Sequence, residues 1–256
     1  MAPRFLIPIK SLGSAPPLFF VPSAGTTVLS LVQLARSLES THPLHAFELS
    51  ALPSGEGRPT TIAQIASLCV KEIGLTQETG PYFIGGHCWG GIVAFEIAAR
   101  LEATGKSVAS LTLMEALPPP FGSDAIEDDV LPPAFAKALS DLYGQVRESV
   151  SRLPPEVAEQ FGPLSSELLN LALRYHATTR INAPVFLIRT PTHPKSVFQG
   201  WSYLTSGHFE EDIVPGDAFS MLAAPAVKVL STRLDEVLRN HGERFSSTRG
   251  NIQSAG

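Results

Sequence analysis

The sequence predicts one α/β domain on a mostly parallel, doubly wound sheet, interrupted by a helical insertion. Three observations predict it. Short apolar runs are each followed by a helix-periodic stretch; a glycine cluster, Gly85-Gly86-His87-Cys88-Trp89-Gly90-Gly91, stands at one such junction; and between Pro118 and Ala183 proline-punctuated helical segments replace the alternation. Strands that alternate with helices are joined as parallel neighbours through crossovers.

In chain order, the expected strands are Leu18 to Val21, Tyr82 to Ile84, Val108 to Met114, Pro184 to Arg189 and Phe209 to Val214. The expected helices are Val28 to Leu38, Thr61 to Ile73, Gly91 to Leu101 and Ala224 to Leu238. Within the insertion, Ala134 to Leu153 and Ser165 to His176 have helical spacing, and Leu131, Phe135, Leu139, Leu142, Tyr143, Val146 and Val150 form an apolar stripe. The division read from this is one domain over residues 1–256, with a core at about 16–117 and 184–240 and a lid at about 118–183. Met1 to Ala15 reads as a leader, and Arg244 to Gly256, polar and without periodicity, as a frayed tail.

Composition narrows the functional classes. Apolar residues make up 44% and charged residues 17%, enough to bury a core. The net charge of -5 is dispersed, with no basic run, which argues against a nucleic-acid partner. The apolar run Phe5 to Ile9 is broken by Pro8, and no stretch approaches the ~18 residues of a membrane helix. With only two cysteines, Cys69 and Cys88, and no metal-ligand spacing to a histidine pair, a cytoplasmic monomer without metal or bound cofactor is expected.

Gly86-His87-Cys88-Trp89-Gly90 is a GxCxG pattern between a strand and a helix. That context suits a sharp turn in which glycines let a nucleophile take a strained conformation, with Cys88 where serine usually stands. The plainer alternative is a buried cysteine in a glycine-rich turn. As a nucleophile, the thiol is expected to gain from the positive end of the following helix, which favours thiolate. The backbone N–H of Trp89, with that of Ala24 in the loop Pro22 to Thr27, is expected to form an oxyanion hole.

These residues, with Pro17 to Val21, Ala24-Gly25, Leu111 to Glu115 and Val214 to Leu222, resemble the thioesterase domains of nonribosomal peptide and polyketide synthases, members of the α/β-hydrolase fold. The resemblance implies chain release in antibiotic-type biosynthesis: an acyl or peptidyl chain passes from the phosphopantetheine arm of a carrier protein to the nucleophile, then to water or an internal nucleophile in macrocyclisation. It also implies Glu115 as the acid, at a position the family gives to Asp. The family's general base falls at Ala218, in Gly216-Asp217-Ala218-Phe219, so the base position is vacant.

Three accounts of that vacancy stand open. One is an introduced truncation that leaves acyl-Cys88 long-lived. A second is another base, for which His208 is nearest in sequence but on the wrong end of its strand, while His176 and His193 read as lid-side or packed residues and His87 points away. The third is acyl binding without chemistry. A stand-alone carboxylesterase of the same fold is the rival enzyme class.

Overall fold

The computed structural model describes residues 5–53, 55–120 and 131–253. Seven strands form one sheet: β1 (Leu6–Lys10), β2 (Leu18–Val21), β3 (Leu44–Phe47), β4 (Tyr82–His87), β5 (Val108–Met114), β6 (Val185–Arg189) and β7 (Phe209–Ile213). Their spatial order is β1-β3-β2-β4-β5-β6-β7, parallel throughout except β1, which runs antiparallel to β3. With its covering helices this is the α/β-hydrolase architecture.

β2, β4, β5 and β6 are buried on both faces, which explains why they read as continuous apolar runs rather than alternating ones. The edges differ. Leu6–Lys10, expected as part of a leader, is instead the edge strand β1; an edge tolerates Pro8 because no partner needs its missing N–H. At the other edge, Glu210, Glu211 and Asp212 charge β7 and blunt further pairing. β3 was not foreseen, because its four residues, Leu44-His45-Ala46-Phe47, are too short to show a period.

The helices are α1 (Val32–Ser37, preceded by a 3-10 turn at Val28–Leu31), α2 (Ile62–Thr76), α3 (Gly90–Ala103), α4 (Pro133–Ser151), α5 (Pro155–Leu173), α6 (Gly200–Tyr203) and α7 (Ala226–Gln253). α1 and α7 pack together on one face of the sheet, α2 and α3 on the other. α7 continues its helical backbone to Gln253, so the residues expected to fray from Arg244 are helical to that point.

The insertion folds into α4 and α5. α5 begins ten residues before the expected Ser165, running through Pro163. A proline inside a helix costs about 3 kcal/mol, so pattern reading places a break there. Packing of Leu168, Leu169 and Leu171 into the main core outweighs it.

Candidate active site

Cys88, Trp89, Ala24, Glu115 and Ala218 each follow the carboxyl end of a strand of the sheet, whose order reverses around the neighbouring strands β2 and β4. β4 delivers the turn. Cys88 takes φ 51°, a left-handed backbone that an L residue adopts only where its surroundings enforce it. The enforcement is steric: a Cβ at Gly86 would overlap the backbone of Gly90, and one at Gly90 the carbonyls of Val21 and Pro22. Strand and helix thus approach more closely than any side chain permits. The Cys88 N–H donates to Met114 O at 2.8 Å, tying the turn to β5.

The thiol is buried, 5% exposed, and burial pushes its pKa up to about 11. The Ser23 hydroxyl and the Trp89 N–H pull in the opposite direction, and the charge of Glu115 adds to the rise. The helix end favours thiolate as expected, through the Trp89 N–H, but desolvation outweighs it and the other donors grouped around the sulfur. Ser23 was not singled out from the sequence. Its hydroxyl is fully buried, has no well-aligned hydrogen-bond partner among the described residues, and faces the thiol.

Ala24 follows Ser23 in the loop after β2 and is also fully buried. The insertion holds this loop. Ser165 of α5 donates to Ala24 O at 2.6 Å, and Ser149 of α4 to Gly25 O at 3.1 Å. At Gly25 a Cβ would stand 2.7 Å from Val146 Cγ1, so α4 lies directly on the loop. The Trp89 indole N–H donates to Leu168 O of α5. The two expected oxyanion residues are therefore both fastened to the insertion, through Ser165 and through the indole.

Glu115 ends β5, fully buried and at φ 46°. Its Oε2 accepts from the Thr190 N–H at 2.6 Å, and its Oε1 lies 3.3 Å from His193 Nδ1. The other ring nitrogen of His193 is 3.3 Å from Asp141 Oδ2 on α4. His193, read as a lid-side or packed residue, is both, and its imidazole also bridges the buried acid and the insertion. Hydrogen bonding to Glu115 raises its pKa, against the opposing effect of burial and with help from Asp141. The loop that carries it is braced from below. Arg189, 6% exposed, pairs with Glu211 at 2.7 Å and donates to the carbonyls of Thr190 and His193. No sequence signal marks the partnership of Glu115 with His193, since the two residues lie 78 positions apart.

Ala218 follows β7 in a turn that Asp217 stabilises by accepting from the N–H groups of Phe219 and Ser220, each at 2.9 Å. It is 1% exposed and belongs to the same core cluster as Cys88. His87 reaches this turn, with Nε2 bonded to Ala218 O and its ring edge-on to Phe219. Burial lowers the His87 pKa to about 4, so the ring is neutral, and its Nδ1 has no partner among the described residues. His208 stands at the opposite end of the sheet, where its carbonyl accepts from Val185 at the start of β6. That position removes it as a base for Cys88.

A cavity of about 40 Å³ touches Cys88 and Trp89 beneath Leu142, Tyr143 and Leu169 of the insertion. It adjoins a second, of about 310 Å³, between the Leu117 to Pro120 segment, α4 and α5. Among the described residues there is no cluster of three His, Cys, Asp or Glu side chains placed to hold a metal ion, and no helix long and apolar enough to cross a membrane.

Comparison with known proteins agrees with this architecture. A segment of a probable non-canonical nonribosomal peptide synthetase, CymA of Salinispora arenicola, is 25% identical over 260 residues, covering 91% of this chain and 3% of CymA. Atromentin synthetase greA of Suillus grevillei is 35% identical over 114 residues, 44% of this chain and 12% of that protein. An inactive atromentin synthetase, invA3 of Paxillus involutus, is 36% identical over 103 residues, 40% of this chain and 11% of that protein. The chain thus spans a small part of each relative. Among solved structures, the Vlm2 thioesterase domain bound with a dodecadepsipeptide superposes with a TM-score of 0.69 at 25% identity, covering 91% of this chain and 96% of that one. The four-domain nonribosomal peptide synthetase AB3403 shares the fold, with a TM-score of 0.71 at 20% identity over 92% of this chain and 20% of that one. The thioesterase domain profile matches residues 16–237, a span that holds β2 to β7, the strained turn and the insertion, and the chain belongs to that family.

Proposed function

We propose that the chain takes an acyl group from the phosphopantetheine thioester of a carrier protein onto Cys88 and, with alanine at the base position, releases it slowly. The single observation behind this reading is Cys88 itself: a left-handed residue on a glycine-locked turn, with the Trp89 N–H and the Ser23 hydroxyl at its sulfur. A fold does not hold a cysteine in that conformation for packing alone.

The step is a thioester exchange. The Cys88 sulfur bonds to the acyl carbon as the bond to the pantetheine sulfur breaks, and the departing thiolate takes the proton that Cys88 gave up. In between, the carbonyl oxygen carries negative charge, for which the backbone N–H groups of Trp89 and Ala24 are the donors. Because one thioester replaces another, the acyl group keeps its activation toward water or an internal nucleophile. Release needs a base to take the incoming proton, and methyl at 218 cannot supply one. Glu115 is the acid of the arrangement, with His193 as its present imidazole partner.

Incubation with an acyl-pantetheine thioester at pH 8.5 should give a persistent mass increase on Cys88, and Ala218→His should shorten its lifetime. No adduct on Cys88 in either protein overturns the reading. One observation favours a second reading, acyl binding without chemistry: a thiol held at about 11 is a poor nucleophile at neutral pH. That reading predicts saturable binding and no adduct even after Ala218→His. An adduct from simple oxygen esters alone would instead mark a carboxylesterase.

A further inference from the structure

We infer that the site selects small, uncharged hydrocarbon or aryl acyl chains and rejects peptidyl ones, through a dry channel that leads from Cys88 to the mouth beside His176. The inference rests on the proposed acyl-Cys88 chemistry and names its substrate class. Five residues, Ile92, Leu117, Leu139, Tyr143 and Ala172, line both the cavity at Cys88 and the larger one, so the two lie side by side and movement of these side chains alone would join them.

Among the described residues, the larger cavity has no Asp, Glu, Lys or Arg in its wall. One wall is Pro118-Pro119-Pro120, three consecutive residues without an N–H, and the carbonyl of Pro120 already accepts from Ala177 at 2.8 Å. Across from it, Leu139, Tyr143 and Ala172 lie inside α4 and α5, where backbone N–H groups serve the helix. The Tyr143 hydroxyl donates to Leu169 O at 3.2 Å. Inward of His176, a peptide in this passage would bury amide after amide beside a wall without a free donor among the described residues, weakening binding roughly ten- to a hundredfold for each amide left unpaired. A hydrocarbon chain loses nothing there. The volume of about 310 Å³ sits at the low end of the roughly 300–1,000 Å³ of ligand pockets, room for one modest chain rather than a macrocycle. Among the described residues, the exposed His176 at the outer end is the one titratable side chain in the wall besides Tyr143, and it leaves the mouth able to take a polar chain terminus.

The test separates the channel from the chemistry. Binding of non-hydrolysable acyl-pantetheine amides to Cys88→Ala is measured by calorimetry for butanoyl, hexanoyl, octanoyl and phenylacetyl chains, and for glycylglycyl and aspartyl analogues of matched length. Affinity should rise about fourfold per methylene up to a plateau, with the phenylacetyl chain bound and the peptidyl analogues at least tenfold weaker than the isosteric hydrocarbon. Ala172→Phe, which fills the shared stretch, should abolish the gain beyond butanoyl. Equal affinity for peptidyl and hydrocarbon probes, or no dependence on length, overturns the inference. Acetyl-pantetheine, too short to use the channel, reports on Cys88 separately: an adduct without length dependence sinks the channel alone. Length-dependent binding without any adduct sinks the chemistry and leaves the channel standing.

Discussion

The reactivity of Cys88 pits two physical effects against each other, and pH separates them. Burial pushes the thiol up to about 11, whereas a helix end and nearby donors favour thiolate. At pH 7 a group with pKa about 11 is ionised to only ~10⁻⁴, against roughly 3% for an exposed cysteine near 8.5, a ratio of about 300. Alkylation by iodoacetamide, followed by mass and mapped to the peptide so that the fully buried Cys69 is counted apart, should therefore be at least about 300-fold slower at pH 7 than for a free cysteine peptide. Limited access through the small cavity slows it further but does not alter the pH slope. The rate should climb tenfold per pH unit to pH 10 without levelling. Two substitutions should act in opposite directions: Ser23→Ala removes a group that lowers the pKa and slows the reaction, while Glu115→Gln removes a charge that raises it and speeds the reaction. A plateau below pH 8 would mean the helix and the donors prevail over desolvation, and the account of a suppressed nucleophile would be wrong.

His87 is neutral in the fold, with its pKa near 4 against about 6.5 in an unfolded chain. Its contribution is fully present above pH 6.5 and is lost as pH falls toward 4, by about 3 kcal/mol, so His87→Gln should show a flatter loss of denaturant stability across that window; parallel curves refute it. Gly25→Ala should push α4 off the loop after β2, where the new methyl would stand 2.7 Å from Val146 Cγ1, at a cost of about 1–3 kcal/mol. Faster hydrogen exchange over Pro133–Ser151 and faster alkylation of Cys88 are expected, and unchanged exchange there would show that α4 does not rest on Gly25. Arg189→Met should cost about 3–5 kcal/mol, because it leaves Glu211 buried with Lys195 alone, and adding Glu211→Met should recover much of the loss; additive losses in the double variant contradict a buried pair.

The turn at Cys88 could be read from seven consecutive residues because its cause is local. Glycines at 86 and 90 permit the backbone, and an apolar run on either side names the strand and the helix. β5 coincides with its expected limits for the same reason, since a strand buried on both faces is apolar along its whole length. Glu115 was reached through the resemblance, which gives the position after this strand to an acid. Where local chemistry and global packing disagree, the pattern misleads: the proline at 163 signals a break in α5, and Leu6–Lys10 needed β3 beside it before it became a strand.

Local composition and spacing along the chain thus dictate five of the seven strands, the central turn and the residue at its tip, because backbone conformation answers to immediate neighbours. Pairing across the fold decides the rest. His193 meets Glu115 because β6 lies beside β5, Ser23 meets Cys88 because β2 lies beside β4, and the thiol is suppressed because α4 and α5 exclude water above it. Charge and hydration depend on what surrounds a group in space, and those surroundings come from segments tens of residues away.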